Sequence, residues 1–121
     1  MTVARQQLGR LGERLAAKHL ARLGYRIVVR NHRTRYGELD LVACDADRIV
    51  FVEVKARMGG PGRPLEKVDW RKQGQVRQMA RAWLADTDDR PHRPEVRFDA
   101  IGVTVDTAGR LVALEHLEAA F

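Results

Sequence analysis

Cysteine is almost absent from this sequence. Cys44 stands alone among 121 residues, so no disulfide can form within the chain. Histidine is sparse as well, and His19, His32, His92 and His116 lie too far apart to read as zinc-ligand spacing. Aromatic residues make up only 6% of the chain. No apolar run approaches the roughly 18 residues that span a bilayer, so no membrane association is expected. The first residues lack the apolar core of a signal peptide, which makes a cytoplasmic location the expectation. Acids are scarce in the first part of the chain. Residues 1–37 hold nine basic side chains and one acid, Glu13, for a sum of +8, whereas residues 38–121 hold 13 bases and 15 acids, for a sum of −2.

A length of 121 residues, with 45% hydrophobic and 31% charged residues, fits one globular domain over residues 1–121. The charge asymmetry points to a polyanionic partner, most simply nucleic acid. A second basic stretch from Lys55 to Arg81 carries eight bases against Glu66 and Asp69. The plainer reading is a solvated surface rich in arginine, since 18 of the 22 bases are Arg.

Leu8, Leu11, Leu15, His19, Leu20 and Leu23 recur every three or four residues, which predicts a helix over 4–24 that stops at Gly24. Glu13 falls at the edge of that stripe, where it reads either as a site carboxylate or as a helix-surface acid paired with a nearby Arg. Tyr25 to Arg30 read as a short strand, 31–37 as a basic loop, and Glu38 to Ala43 as a second strand. Asp45 to Asp47 make a turn into a third strand, Arg48 to Lys55. A Gly- and Pro-rich loop covers 58–64. Asp69 is a suitable N-cap for a second helix reaching Ala85, with Val76, Met79, Ala80, Trp83 and Leu84 along one side. Strands at 96–105 and 111–117 complete a mixed sheet with helices packed on it.

Charges interrupt the most strand-like part of the chain. Asp40 sits in the second strand. Glu53 and Lys55 sit in Ile49-Val50-Phe51-Val52-Glu53-Val54-Lys55, one residue apart, so they share a strand face. Buried charge is costly unless it is paired or holds a metal. Two carboxylates beside an ammonium suit Mg²⁺ (or Mn²⁺), which takes oxygen ligands, and suit phosphodiester hydrolysis. Asp40, Glu53 and the carbonyl of Val54 are the candidate ligands, Lys55 the candidate catalytic cation, and Glu13 and Glu38 candidate further carboxylates. Arg30, Arg33 and Arg35 precede the acidic strand and, with Arg57 and Lys72, are the candidate nucleic-acid contacts. The competing reading is a strand guarded by inward charges, with Lys55 paired to Asp40 or Glu53.

The phrases Gly12-Glu13, Gly24-Tyr25, Arg30-Asn31, Gly37-Glu38-Leu39-Asp40-Leu41, Val50-Phe51-Val52-Glu53-Val54-Lys55 and Arg97-Phe98-Asp99 resemble the YraN family of small bacterial proteins. Asp40…Glu53-Val54-Lys55 after a helix bearing Glu13 resembles the wider PD-(D/E)xK, restriction-endonuclease-like superfamily, which includes Holliday junction resolvases. Leu39 stands where that superfamily's motif has Pro. The resemblance covers nearly the whole chain. It implies an α/β fold with an αβββαβ core, metal ligation by Asp40 and Glu53, a catalytic Lys55, and Mg²⁺-dependent endonuclease chemistry on DNA, with branched and damaged DNA among the candidate substrates. Junction-cutting relatives often act as symmetric dimers, which leaves a homodimer open. Two rivals stand beside the nuclease: a nucleic-acid-binding module that does not cut, and a protein–protein adaptor whose charges form an internal ion-pair network.

Other polar residues read more simply. Asp99 is expected to pair with an Arg, His19 to be a hydrogen-bonded core histidine, and Trp70 and Trp83 to pack in the core. Lys72 and Gln73 open the second helix, facing either the site or solvent.

Overall fold

The computed structural model describes residues 3–59 and 68–121. Helix α1 (Val3–Arg22) leads into strands β1 (Arg26–Thr34), β2 (Gly37–Cys44) and β3 (Arg48–Met58). Helix α2 (Trp70–Asp86) follows, then β4 (Glu95–Val105) and β5 (Leu111–Leu117). The strands lie in the order β1-β2-β3-β4-β5. Only β3 and β4 run parallel, and the other neighbours are antiparallel. The result is a five-stranded mixed sheet with a helix on each face, an αβββαβ core carrying one further strand.

Alternation along the strands sorts the core into two layers. Leu41, Ala43, Val50, Val52, Ile101 and Val103 pack with Ala16, Ala17 and Leu20 of α1. Val42, Ile49, Phe51, Met79 and Trp83 pack between the sheet and α2. Fully burying a side chain such as Phe51, which is 0% exposed, contributes about 1.5–3 kcal/mol.

Asp69 caps α2 as the sequence predicts, with Oδ1 accepting from the Lys72 amide at 2.9 Å. The turn at Asp45–Asp47 also forms, with Asp45 Oδ1 accepting from the amides of Asp47 and Arg48.

Three expectations are corrected. Strand β1 does not stop at Arg30. It continues to Thr34, and a two-residue turn at Arg35–Tyr36 replaces the loop expected over 31–37. Gly37 makes this turn possible, with φ +132° and Gln75 so close that a Cβ would lie 2.7 Å from its Nε2. Gln75 also donates to the Tyr36 carbonyl at 2.8 Å, tying the hairpin to α2. Trp70 is not in the core: it is 75% exposed at the first turn of α2, and only Trp83, at 2%, is buried. Leu23 lies beyond the end of α1 and is exposed. The loop expected over 58–64 lies, from residue 60 onward, outside the described residues.

Candidate metal and nucleic-acid site

The site forms where β2 and β3 part. Their ladder runs only from Cys44↔Ile49 to Leu41↔Val52. Beyond that rung β2 continues beside β1, and β3 continues beside β4 as far as Met58↔Val105. Asp40 occupies the fork. Its Oδ2 accepts from the Val54 backbone N–H at 2.9 Å, taking the place of a ladder partner. The N–H and C=O of a strand residue leave on the same side of the strand, so the Val54 carbonyl also faces the fork.

The backbone turns Asp40 out of regular alternation. Residues 39 and 41 should share a face, yet Leu39 packs beneath α2 and Leu41 beneath α1. The cause lies across the hairpin. Asn31 has φ +50°, and the 31–40 rung is missing from the β1–β2 ladder between Arg30↔Leu41 and His32↔Leu39. Asn tolerates this left-handed conformation better than most residues. Its Oδ1 is buried without a hydrogen-bond partner among the described residues.

Because of this twist, one carboxylate meets groups from both layers. On the α1 side, ligand oxygens of Glu13, Glu38 and Asp40 lie within 4.8 Å of one another. Gly12 sets that approach: a Cβ there would lie 2.6 Å from Ala56 Cβ, so α1 sits directly on β3 and the next residue, Glu13, faces the fork. Arg10 spans Glu13 and Glu38 at 3.1 Å each. On the α2 side, Glu53 is 8% exposed and pairs with Lys72 at 3.4 Å. Lys55 follows on the same face of β3, near enough for its charge to favour ionised Glu53.

Crowded acids raise one another's pKa. Burial first, and then the Glu53 charge, push Asp40 up to about 7, against the opposing hydrogen bond from Val54. Burial and Asp40 push Glu13 up to about 7, although Arg10 opposes the shift. Burial raises Glu53 as well, with Lys72 opposing it. Such a cluster holds protons near neutral pH.

A groove of about 1010 Å³ opens over the α1 side, lined by Arg5, Arg10, Glu13, Arg14, Arg33, Glu38 and Asp40 among others. Of the candidate nucleic-acid contacts, only Arg33 lines it, placed opposite Glu38 in the hairpin. Arg30 is exposed outside the lining, and the Arg35 guanidinium lies 4.9 Å over the Tyr36 ring. Arg57 is half-buried two residues beyond Lys55. Lys72 serves the α2 side. Gln73 turns away and donates to the Val68 carbonyl at 2.8 Å.

Sequence reasoning offered a nearby Arg as a partner of Glu13, which Arg10 is, and missed that Arg10 and Arg14 also line the groove. Arg10 and Arg14 flank Glu13 within one helical turn, and that spacing was the available signal. It also missed Gly12 and Asn31, whose roles are backbone geometry rather than side-chain chemistry.

Asp99 belongs elsewhere. It is 0% exposed and takes both nitrogens of a forked Arg97 contact at 2.8 Å, His116 Nε2 at 2.8 Å and the Ala119 amide at 3.0 Å. His116 Nδ1 in turn lies 3.0 Å from Nε2 of the half-buried His19. Asp99 and His19 therefore have the structural partnerships expected of them.

The profile of the family described as "Uncharacterised protein family UPF0102" matches residues 12–103. A UPF0102 protein of Nocardia farcinica is 47% identical over 118 residues, covering 97% of this chain and 91% of the relative. One from Mycobacterium tuberculosis is 48% identical over 122 aligned positions, covering 97% and 94%. One from Pelotomaculum thermopropionicum is 45% identical with both chains covered in full. The match takes in Glu13, Asp40, Glu53 and Lys55 alike, and the chain belongs to the UPF0102 family, the YraN family that its motifs resemble.

Proposed function

We propose that this protein is a Mg²⁺- or Mn²⁺-dependent nuclease of the PD-(D/E)xK type that hydrolyses phosphodiester bonds in DNA. The observation that carries the reading is the position of Asp40 in the β2–β3 fork, with Glu13 and Glu38 on one side and Glu53 and Lys55 on the other.

The donor set fits a hard divalent cation. Asp40, Glu53 and the Val54 carbonyl would hold it, with Glu13 and Glu38 as further carboxylates. All are oxygen donors, the type that Mg²⁺ and Mn²⁺ take. The chemistry such an ion supplies when bound is neutralisation of phosphate charge and polarisation of the bond being cleaved. The chain's own residues do the rest. Lys55 places a cation where it can orient the attacking water or offset charge growing on the phosphate. Lys72 opposes the rise that burial gives Glu53 and so favours its ionised form. Arg14 and Arg33 present positive charge along the groove, where a DNA backbone would lie. Arg10 is already engaged by two acids, and it can turn to a phosphate once those acids bind an ion.

The test is cleavage of labelled duplex, single-stranded and four-way-junction DNA with Mg²⁺ or Mn²⁺, comparing wild type with Lys55→Ala and Asp40→Asn. Loss of cutting in both variants, with folding retained, supports the reading. Equal cutting by wild type and Lys55→Ala assigns the activity to a contaminant. No cutting of any substrate removes the nuclease.

A second reading, DNA binding without turnover, is favoured by one observation. Arg10 and Lys72 already neutralise Glu13, Glu38 and Glu53 by ion pairs. It requires salt-sensitive binding that Asp40→Asn leaves intact and no cleavage under any condition.

A further inference from the structure

A second concave site lies on the α2 side of the sheet, at the start of β1, and shares no lining residue with the groove over the acidic fork. It encloses about 430 Å³ and is lined by Arg26, Val28, Val29 and Trp83 together with Thr87, Asp89, Arg90, Pro91 and Arg93 of the segment joining α2 to β4. Its size falls within the range of small-ligand sites. The β1–β2 register shifts between Ile27 and Val29, so Val28 is an extra residue in β1, and both Val28 and Val29 pack toward α2. That bulge re-aims the strand and leaves a recess beside Trp83.

The charge in this recess is unusual. Three guanidiniums meet one carboxylate, Asp89. Two of them are fixed by neutral partners. Arg90 donates from Nε to the Leu84 carbonyl and from a terminal nitrogen to the Pro91 carbonyl, both at 2.9 Å. Arg93 donates from Nε to the Asp45 carbonyl at 2.6 Å and from a terminal nitrogen to the His92 carbonyl at 3.1 Å. Backbone carbonyls hold these side chains in place without cancelling their charge. A guanidinium has five N–H donors, so each retains three beyond those contacts. Arg26 stands exposed at the mouth. Positioned, charged, multiply donating groups in a concavity are the chemistry that recognises a phosphate.

We propose that this pocket binds the phosphate of a small phosphorylated molecule, with Arg26, Arg90 and Arg93 as its donors and Val28, Val29 and Pro91 as the apolar wall beside it. The site is separate from the acidic fork, and the proposal stands whether or not the protein cuts DNA.

Calorimetric titration of the full chain tests it with three probes: inorganic phosphate, adenosine monophosphate and adenosine. The expected result is saturable binding of the first two and none of adenosine. Arg26→Ala and Arg90→Lys should each weaken binding about tenfold, the loss of roughly one charge-assisted contact. Arg90→Lys keeps the charge but loses the fork and its bond to the Leu84 carbonyl, so its melting temperature is measured alongside, whereas Arg26 is exposed and Arg26→Ala leaves the fold intact. Arg110→Ala, an exposed arginine that lines neither concavity, should leave phosphate binding unchanged. No saturable binding to wild type at millimolar phosphate overturns the proposal. So does equal weakening by Arg110→Ala, or displacement of adenosine monophosphate by duplex DNA.

Discussion

The backbone N–H of Val54 donates to Asp40 Oδ2 at 2.9 Å, so a side chain from β2 fills the ladder position that the β2 backbone has left. This one contact holds a half-buried carboxylate at the fork, where the Val54 carbonyl faces the same space. It also separates two roles at Asp40, hydrogen-bond acceptor and charge. Asp40→Asn keeps an acceptor for Val54 and removes the charge. We expect this variant to melt at or above the wild-type temperature at pH 8, because it relieves repulsion among the acids. It should lose the rise in melting temperature that Mn²⁺ gives wild type. A Mn²⁺ response equal to that of wild type would remove Asp40 from the ligand set.

The pH dependence follows from the direction of the shifts. Asp40 and Glu13 are raised to about 7 in the folded chain, while their unfolded values lie near 4. Groups that bind protons more tightly when folded favour the fold at low pH. Their contribution is complete below about pH 4 and is lost as pH rises through about 7. A cation competes with those protons. Mn²⁺ affinity should therefore climb between pH 6 and 8, with proton release near pH 6.5. Titration in two buffers of different ionisation enthalpy measures that release, and a flat profile would contradict the raised values.

Gly12 and Ala56 form a contact with no room for a methyl group. Gly12→Ala should cost about 1–3 kcal/mol by overpacking, lift α1 from β3 and draw Glu13 back from Asp40. The expected signature is a lower melting temperature together with weaker Mn²⁺ binding. Adding Ala56→Gly should restore both, since it removes the atom that the new Cβ meets.

Asn31 offers a test of backbone geometry. Asn31→Gly retains access to φ +50° and should preserve metal binding. Asn31→Val disfavours that conformation by about 1–3 kcal/mol. It should restore regular alternation at residue 40 and weaken Mn²⁺ binding beyond what its loss of stability explains. Equal behaviour of the two variants would leave Asn31 without a positioning role.

Asp99 should matter for folding and not for chemistry. Asp99→Ala takes from the part-buried Arg97 its forked partner, leaving it the Tyr25 hydroxyl and Glu118, and removes a partner from His116. A loss of about 3–5 kcal/mol is expected in denaturant titration. Metal binding by the folded fraction should remain.

Much of the architecture is written locally. The leucine spacing of α1, the Asp69 cap and the Asp45 turn follow from residues within a few positions of one another, and the sequence determined them unaided. The same holds for Glu53 and Lys55 sharing a face, because strand alternation is a property of the chain itself. Only tertiary structure decided the rest. Trp70 and Trp83 sit in the same helix, yet one is exposed and the other buried, because burial depends on what lies opposite. Arg35 and Arg33 are two residues apart, and only Arg33 lines the groove. The meeting of Glu13 and Glu38 with Asp40, and of Asp40 with Glu53, depends on a left-handed Asn31 in one strand, a missing methyl group on α1 and the parting of β2 from β3. These are contacts between segments far apart in sequence, set by how closely backbones approach, and no local pattern of residue types encodes that distance.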